Sequence, residues 1–171
     1  MTVITAAQFK TMLQNGETIS DVQVNEMIDI QPGDVIAGNV QVYTSLLLDI
    51  RISGKTIPAI NFFMTQIRTL QLMQCVIDTL AIGQPGASFQ RIEADPLTSI
   101  GTLTIAAVDN SGGVRLTGST VRKINVSDCS LQGFYLSLNA AQSCEWKATN
   151  LNCNQVTFAG NFMFFQGQIN T

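Results

Sequence analysis

Between Ile67 and Ile82 the inward candidates are Ile67, Leu70, Leu72, Cys75, Ile77, Leu80 and Ile82, separated by alternating steps of three and two. At about 100° per residue such a set scatters around the whole circumference of a helix, and a simple strand would alternate by two. The repeat unit is five residues. It keeps phase through Val40/Val42, Ser45/Leu47, Ile50/Ile52, Lys55/Ile57, Ile60/Phe62, Thr65/Ile67, Leu70/Leu72, Cys75/Ile77 and Leu80/Ile82.

Every second unit is doubly apolar, and steps of about twenty residues generate two ladders. One runs Val22/Val24, Val40/Val42, Ile60/Phe62, Leu80/Ile82, Leu103/Ile105, Ile124/Val126, Cys144/Trp146 and on to the region of Phe164. The other runs Ile50/Ile52, Leu70/Leu72, Ile92, Val114/Leu116, Phe134/Leu136 and Val156. A fixed period of this length marks a solenoid whose coils bury their apolar faces on one another. Four pentads make one coil, and about seven coils spaced by ~4.8 Å predict a rod of roughly 34 Å. Gly83-Gln84-Pro85-Gly86 and Asn110-Ser111-Gly112-Gly113 are turn-forming groups, expected to loop out of their coils as insertions.

Residues 1–16 follow a different rule. Thr5-Ala6-Ala7-Gln8 is a capping box, Phe9, Met12 and Leu13 share a helical face, and Asn15-Gly16 supplies a stop. A short helix here closes an otherwise open apolar end of the rod, which would be an aggregation liability. The chain thus divides into a helical cap, 1–16, and a β-helix, 17–171, within one structural domain. At the far end Phe158, Phe162, Met163, Phe164 and Phe165 crowd into one coil. They exceed what a narrow core accepts, so some are expected to face a partner.

The pentad phase, the small residue two places before a large one (Cys75-Val76-Ile77, Cys129-Ser130-Leu131, Cys144-Glu145-Trp146) and Ala148-Thr149-Asn150-Leu151 resemble a degenerate pentapeptide-repeat protein. The leading helix is similar to the N-terminal cap of some members. The resemblance implies an all-β, right-handed parallel β-helix, a quadrilateral solenoid, over almost the whole chain. Ala-Asp/Asn-Leu pentads are few and β-branched core residues many, which leaves a three-sided right-handed β-helix as the alternative coil shape.

Composition narrows the chemistry. Charged residues make up 12% of the 171, and the net charge is −3. The first 50 residues carry six acidic groups against Lys10 alone, a net of −5, and the remainder carries a net of +2. No general attraction to nucleic acid or anionic membrane follows from such a balance. No charged leader precedes an apolar run and no stretch approaches the ~18 apolar residues of a membrane helix. A cytoplasmic or particle-assembled protein without a secretion signal is expected.

The chain has no histidine, the commonest general base and metal ligand, and this argues against the left-handed β-helix acyltransferases, which also keep a six-residue period. The carboxylates do not cluster at facing positions of neighbouring coils, so no catalytic residue, cofactor or metal is expected and the protein is not read as an enzyme. Ser53-Gly54-Lys55-Thr56 imitates the end of a phosphate-binding loop, but Asp49 stands where the first glycine belongs; a coil corner is the expectation. Cys75, Cys129 and Cys144 fit the small-residue slot, whereas Cys153 is out of phase and expected nearer the surface. Thr98, Thr102, Thr104, Thr117 and Thr120 do not recur at the coil period, as an ice-binding ladder would require. Arg115, Arg122, Lys123 and Lys147 read as solvated surface, and Tyr43, Tyr135 and Trp146 form no aromatic row for carbohydrate.

The expectation is a non-enzymatic structural or interaction protein, a rigid rod that associates through its C-terminal aromatic coil. Its partner is a second copy, as a dimer, or another protein of a phage or similar particle. The family resemblance implies an alternative: an acidic, DNA-mimicking pentapeptide-repeat protein that binds a type II topoisomerase. Direct nucleic-acid binding is not expected.

Overall fold

Strand Leu46–Ser53 buries Leu47, Ile50 and Ile52 but turns Leu48 and Asp49 outward together. The alternation slips by one residue at that point, and the strand bends instead of running straight. The same slip occurs at Pro58-Ala59, Arg68-Thr69 and Asp78-Thr79 in the next three strands. Between strands the chain turns through a left-handed residue: Thr44 (φ 48°), Gly54 (61°), Met64 (50°) and Gln74 (55°), one every ten residues. Bends and left-handed corners alternate, so each coil presents one inward pair per pentad.

The computed structural model describes residues 1–109, 111–139, 141–164 and 169–170. It is an all-β parallel solenoid of about seven turns with one short helix at its N-terminus. Leu46–Ser53 pairs with Gln66–Met73, which pairs with Ser88–Ala94 and then Ser111–Thr117. On the other half of each coil, Thr56–Phe63 pairs with Val76–Gly83, Ser99–Ala106 and Thr120–Ser137 in turn. In register, Ile50, Leu70, Ile92, Val114 and Phe134 form one buried column, and Ile60, Leu80, Leu103 and Ile124 another. Each such side chain contributes about 1.5–3 kcal/mol by leaving water.

The small-residue slot clamps the corners. Ser45 Oγ donates to Tyr43 O at 2.7 Å, Thr65 Oγ1 to Phe63 O at 2.9 Å, Cys75 Sγ to Met73 O at 3.3 Å and Cys129 Sγ to Ser127 O at 3.0 Å. Each bond spans a left-handed residue, so a buried hydroxyl or thiol adds a second donor to a carbonyl that already accepts a corner N–H of the neighbouring coil. Ser45 Oγ also accepts from Val22 N, and Thr98 Oγ1 from Cys75 N, which ties corners of neighbouring coils together.

The register departs from the expected ladders at both ends. Val24 lies opposite Leu47 and Ile19 opposite Val42, so Val22/Val24 does not stack under Val40/Val42. The second ladder instead begins one coil earlier, with Ile28 and Ile30 opposite Ile50 and Ile52. The cause is the Gln31–Gly38 loop, which folds back on the helix: Ala37 N donates to Leu13 O, and Lys10 bridges Asp29 O and the Asp34 carboxylate at 2.6 Å. Towards the C-terminus Trp146, not Cys144, lies opposite Ile124, and Ala148 opposite Val126. Cys144 is therefore outside the corner-clamping slot; it is buried opposite Phe162.

Cys153 is also placed differently from expectation: it is fully buried opposite Leu131, in a position that Leu131 fills with a large side chain one coil earlier. Ser111-Gly112-Gly113 does not loop out but starts strand Ser111–Thr117, with Ser111 Oγ accepting from Phe89 N inside the coil; Asn110 lies outside the described residues. Of the other turn group, Gly83 ends its strand and Gln84 begins a turn closed by Ala87 N to Gln84 O. A second turn at Asp95–Thr98, closed by Thr98 N to Asp95 O, takes up the remaining residues of the longer coil.

Candidate functional site

The two ends of the solenoid are built differently. At the first, strand Thr2–Val3 joins the sheet beside Val22 and Gln23 and delivers the chain to helix Ala6–Gln14. The capping box is complete, with Gln8 N donating to Thr5 Oγ1 at 3.2 Å and Thr5 N to Gln8 Oε1 at 2.8 Å. Phe9 and Leu13 are buried on the first coil and Met12 packs against the same core.

At the other end an aromatic file leads out of the core. Phe134 and Trp146 meet edge-to-face with centroids 5.2 Å apart, Trp146 and Phe158 at 4.9 Å, and Phe158 and Phe162 at 4.9 Å. Burial fades along this file: Phe134 and Trp146 are enclosed, whereas Phe158 and Phe162 are half-buried. Met163, in strand Asn161–Phe164, is 44% exposed. The Phe164 backbone pairs opposite Trp146, and Phe165 lies outside the described residues. Phe158 and Phe162 are thus brought together on the last coil, whereas Met163 stands in the outward column opposite Glu145. Phe134 and Trp146, which underpin them, were legible as ladder members but not as parts of this site.

The remaining candidates fall elsewhere. Gly54 is a left-handed corner, and Lys55 Nζ donates to Pro32 O at 2.7 Å and to Asp34 O, so this lysine fastens a loop. Lys123 faces Glu145 at 3.8 Å. Thr102 sits between Thr79 and Lys123, and Thr104 between Ala81 and Asn125, so threonines form no continuous column. Cys75, Cys129, Cys144 and Cys153 are free thiols, all pushed upward in pKa by burial, Cys144 to about 12. A thiol so protonated is a poor nucleophile.

One surface feature escaped the pentad reading. Tyr43 and Phe63 point outward from successive coils with ring centroids 5.5 Å apart. The signal was the doubled Phe62-Phe63, whose first ring enters the core and whose second must leave it. Among the described residues no group of three or more His, Cys, Asp or Glu side chains could hold a metal, and no helix is long and apolar enough to cross a membrane. Comparison with protein-family models, with curated proteins and with solved structures finds no match to this chain.

Proposed function

We propose that the chain is a non-enzymatic structural or interaction protein, a rigid rod of the degenerate pentapeptide-repeat kind that associates through its C-terminal aromatic coil. The observation that carries this reading is the fading of burial along the aromatic file, from the enclosed Trp146 to the half-buried Phe158 and Phe162. Apolar surface at the end of a solenoid gains about 25 cal/mol per Å² when covered. The helix already occupies the opposite end, so head-to-tail stacking is blocked and a twofold, end-to-end dimer is the closed solution. A particle assembly suits such a rod, whose faces are amide-rich and low in charge.

The alternative, duplex mimicry towards a topoisomerase, calls for continuous acidic faces. The outward column Asp29, Arg51, Gln71, Glu93, Arg115, Tyr135, Thr157 mixes both signs, which favours the scaffold reading. Light-scattering mass of the full chain across a tenfold dilution tests the proposal, with Phe162→Ser beside the wild type. A wild-type dimer that the substitution converts to folded monomer supports it. A wild-type monomer at every concentration removes self-association and leaves only a different protein as the partner.

A further inference from the structure

A second site lies on a flat face of the rod, away from either end. Gly113 and Gly133 stand directly opposite one another on adjacent strands, while the buried Gly112 beside them is held to glycine by the Gln90 backbone, whose oxygen a Cβ would overlap. Glycine weakens a strand interior, so such a cluster calls for a reason in what approaches it. At Gly133 the reason is Tyr135: a methyl group there would come within 2.8 Å of its Cε2, because the ring lies back along the strand instead of standing away from the sheet. Its hydroxyl donates to Gln155 Oε1 at 2.7 Å, which fixes the ring in that pose, yet the residue keeps 40% exposure. Gly113 has no comparable internal reason; a methyl group on it would meet only ordinary contacts at 3.5 and 4.0 Å.

The glycines floor a depression of about 420 Å³. Gln90 and Arg91 stand on one side, Gln132 and Tyr135 on the other, and Glu93 and Arg115 close the third. Arg115 and Glu93 also line a neighbouring depression of about 480 Å³ that runs on to Arg51 and Gln71, so the hollow continues along the rod. Although Glu93 lies opposite Arg115 in register, it turns to Arg91 at 3.6 Å and accepts from Gln71 Nε2 at 3.3 Å. Among the described residues no hydrogen bond or ion pair engages the Arg115 guanidinium, whose backbone is paired on both sides.

These groups specify a ligand class. An inclined tyrosine face accepts the C–H face of a pyranose, and two glutamine amides and a carboxylate offer donors and acceptors for its hydroxyls. A guanidinium without a partner is the fork that takes a carboxylate in two parallel bonds. Single-stranded nucleic acid would want a file of stacking rings in a wholly basic groove, whereas this site has one ring and sets the Glu93 carboxylate among its two arginines. We propose that this glycine-floored face binds an acidic saccharide, a short uronate-bearing oligosaccharide laid across the coils, with its carboxylate on Arg115 and a sugar ring on Tyr135.

The test is calorimetric titration of the full chain with tetrameric oligogalacturonate, alginate and hyaluronan fragments, and with maltotetraose and inorganic phosphate as controls. At least one uronate should bind once per chain with a Kd of about 1 mM or tighter. Arg115→Gln and Tyr135→Ser should each weaken it about tenfold, the loss of one charge-assisted pair or one stacking face. Gly113→Val, which raises the floor beside the Tyr135 ring, should abolish binding while the thermal midpoint holds. No binding by any uronate at about 10 mM overturns the proposal. So does maltotetraose or phosphate binding as tightly as the best uronate, or uronate binding that all three variants leave unchanged.

Discussion

The first and last coils face the same physical problem and solve it to different degrees. A solenoid buries its sides by stacking but leaves an apolar cross-section at each end. At the N-terminal end a nine-residue helix lies over the core, held by a complete capping box, and Phe9 and Leu13 retain only 1% and 2% of their exposure. At the C-terminal end the file of rings runs from the enclosed Trp146 out to the half-buried Phe158 and Phe162. One end is finished within the chain; the other offers surface.

The largest expected effect separates the two ends. Phe9→Ala removes a fully enclosed ring and should cost about 3–5 kcal/mol in denaturant unfolding. Phe162→Ala removes a half-buried one and should cost about 1–2 kcal/mol. Equal losses would mean that the last coil is as well covered as the first. Next in size is the cap: Thr5→Ala removes the acceptor for Gln8 N and should destabilise the chain by about 1 kcal/mol, with amide exchange rising first around Ala6–Gln14.

Alkali should then stress the C-terminal end. Burial raises the Cys144 thiol from 9.0 to about 12, so the folded state holds its proton over a range in which the unfolded chain gives it up. Its contribution is complete below pH 9 and is lost as pH climbs towards 12. Cys144→Ala should flatten the alkaline limb of the stability curve, and the native thiols should resist a disulfide reagent at pH 8 until the chain unfolds.

Acid should stress the N-terminal end, and more weakly. The hydrogen bond from Lys10 holds the Asp34 carboxyl below its ordinary value and pins the loop to the helix. Arg68 does the same for Asp49 on a side of the rod. Both contributions are present above the ordinary carboxylate range and fade as pH falls through the depressed values. Exposed pairs of this kind are worth little, about 0–1 kcal/mol, so Lys10→Met should shift the acid midpoint only slightly, with exchange in residues 31–37 as the sensitive readout.

The pentad rhythm carried most of the architecture because inward and outward residues are sorted by hydrophobicity alone, and that sorting is written along the chain. It identified the columns from Ile50 to Phe134 and the capping helix from its own box and stop. It failed where a residue's place depends on a neighbour distant in sequence. Nothing local says that Lys10 will gather the Asp29–Asp34 segment, so the first coil slipped out of register. Cys153 looked misplaced because its partner, Leu131, belongs to another coil. The corners were hidden too, since Thr44, Met64 and Gln74 carry left-handed backbones without being glycine or asparagine.

By itself, then, the sequence determined a repeating coil, an amphipathic cap and an excess of aromatic residues at one end. These follow from local pattern and from the count of apolar groups against the core available. Tertiary structure alone decided which coil lies on which, that Phe134 and Trp146 underpin Phe158 and Phe162, and that Tyr135 reclines beside Gly133 and Gly113 near an unpaired Arg115 side chain. Phe134, Trp146 and Phe158 follow one another at intervals of twelve residues and Arg115 precedes Tyr135 by twenty, yet each pair is adjacent in the fold. Only the stacking register, settled by the sum of all the columns, brings them together.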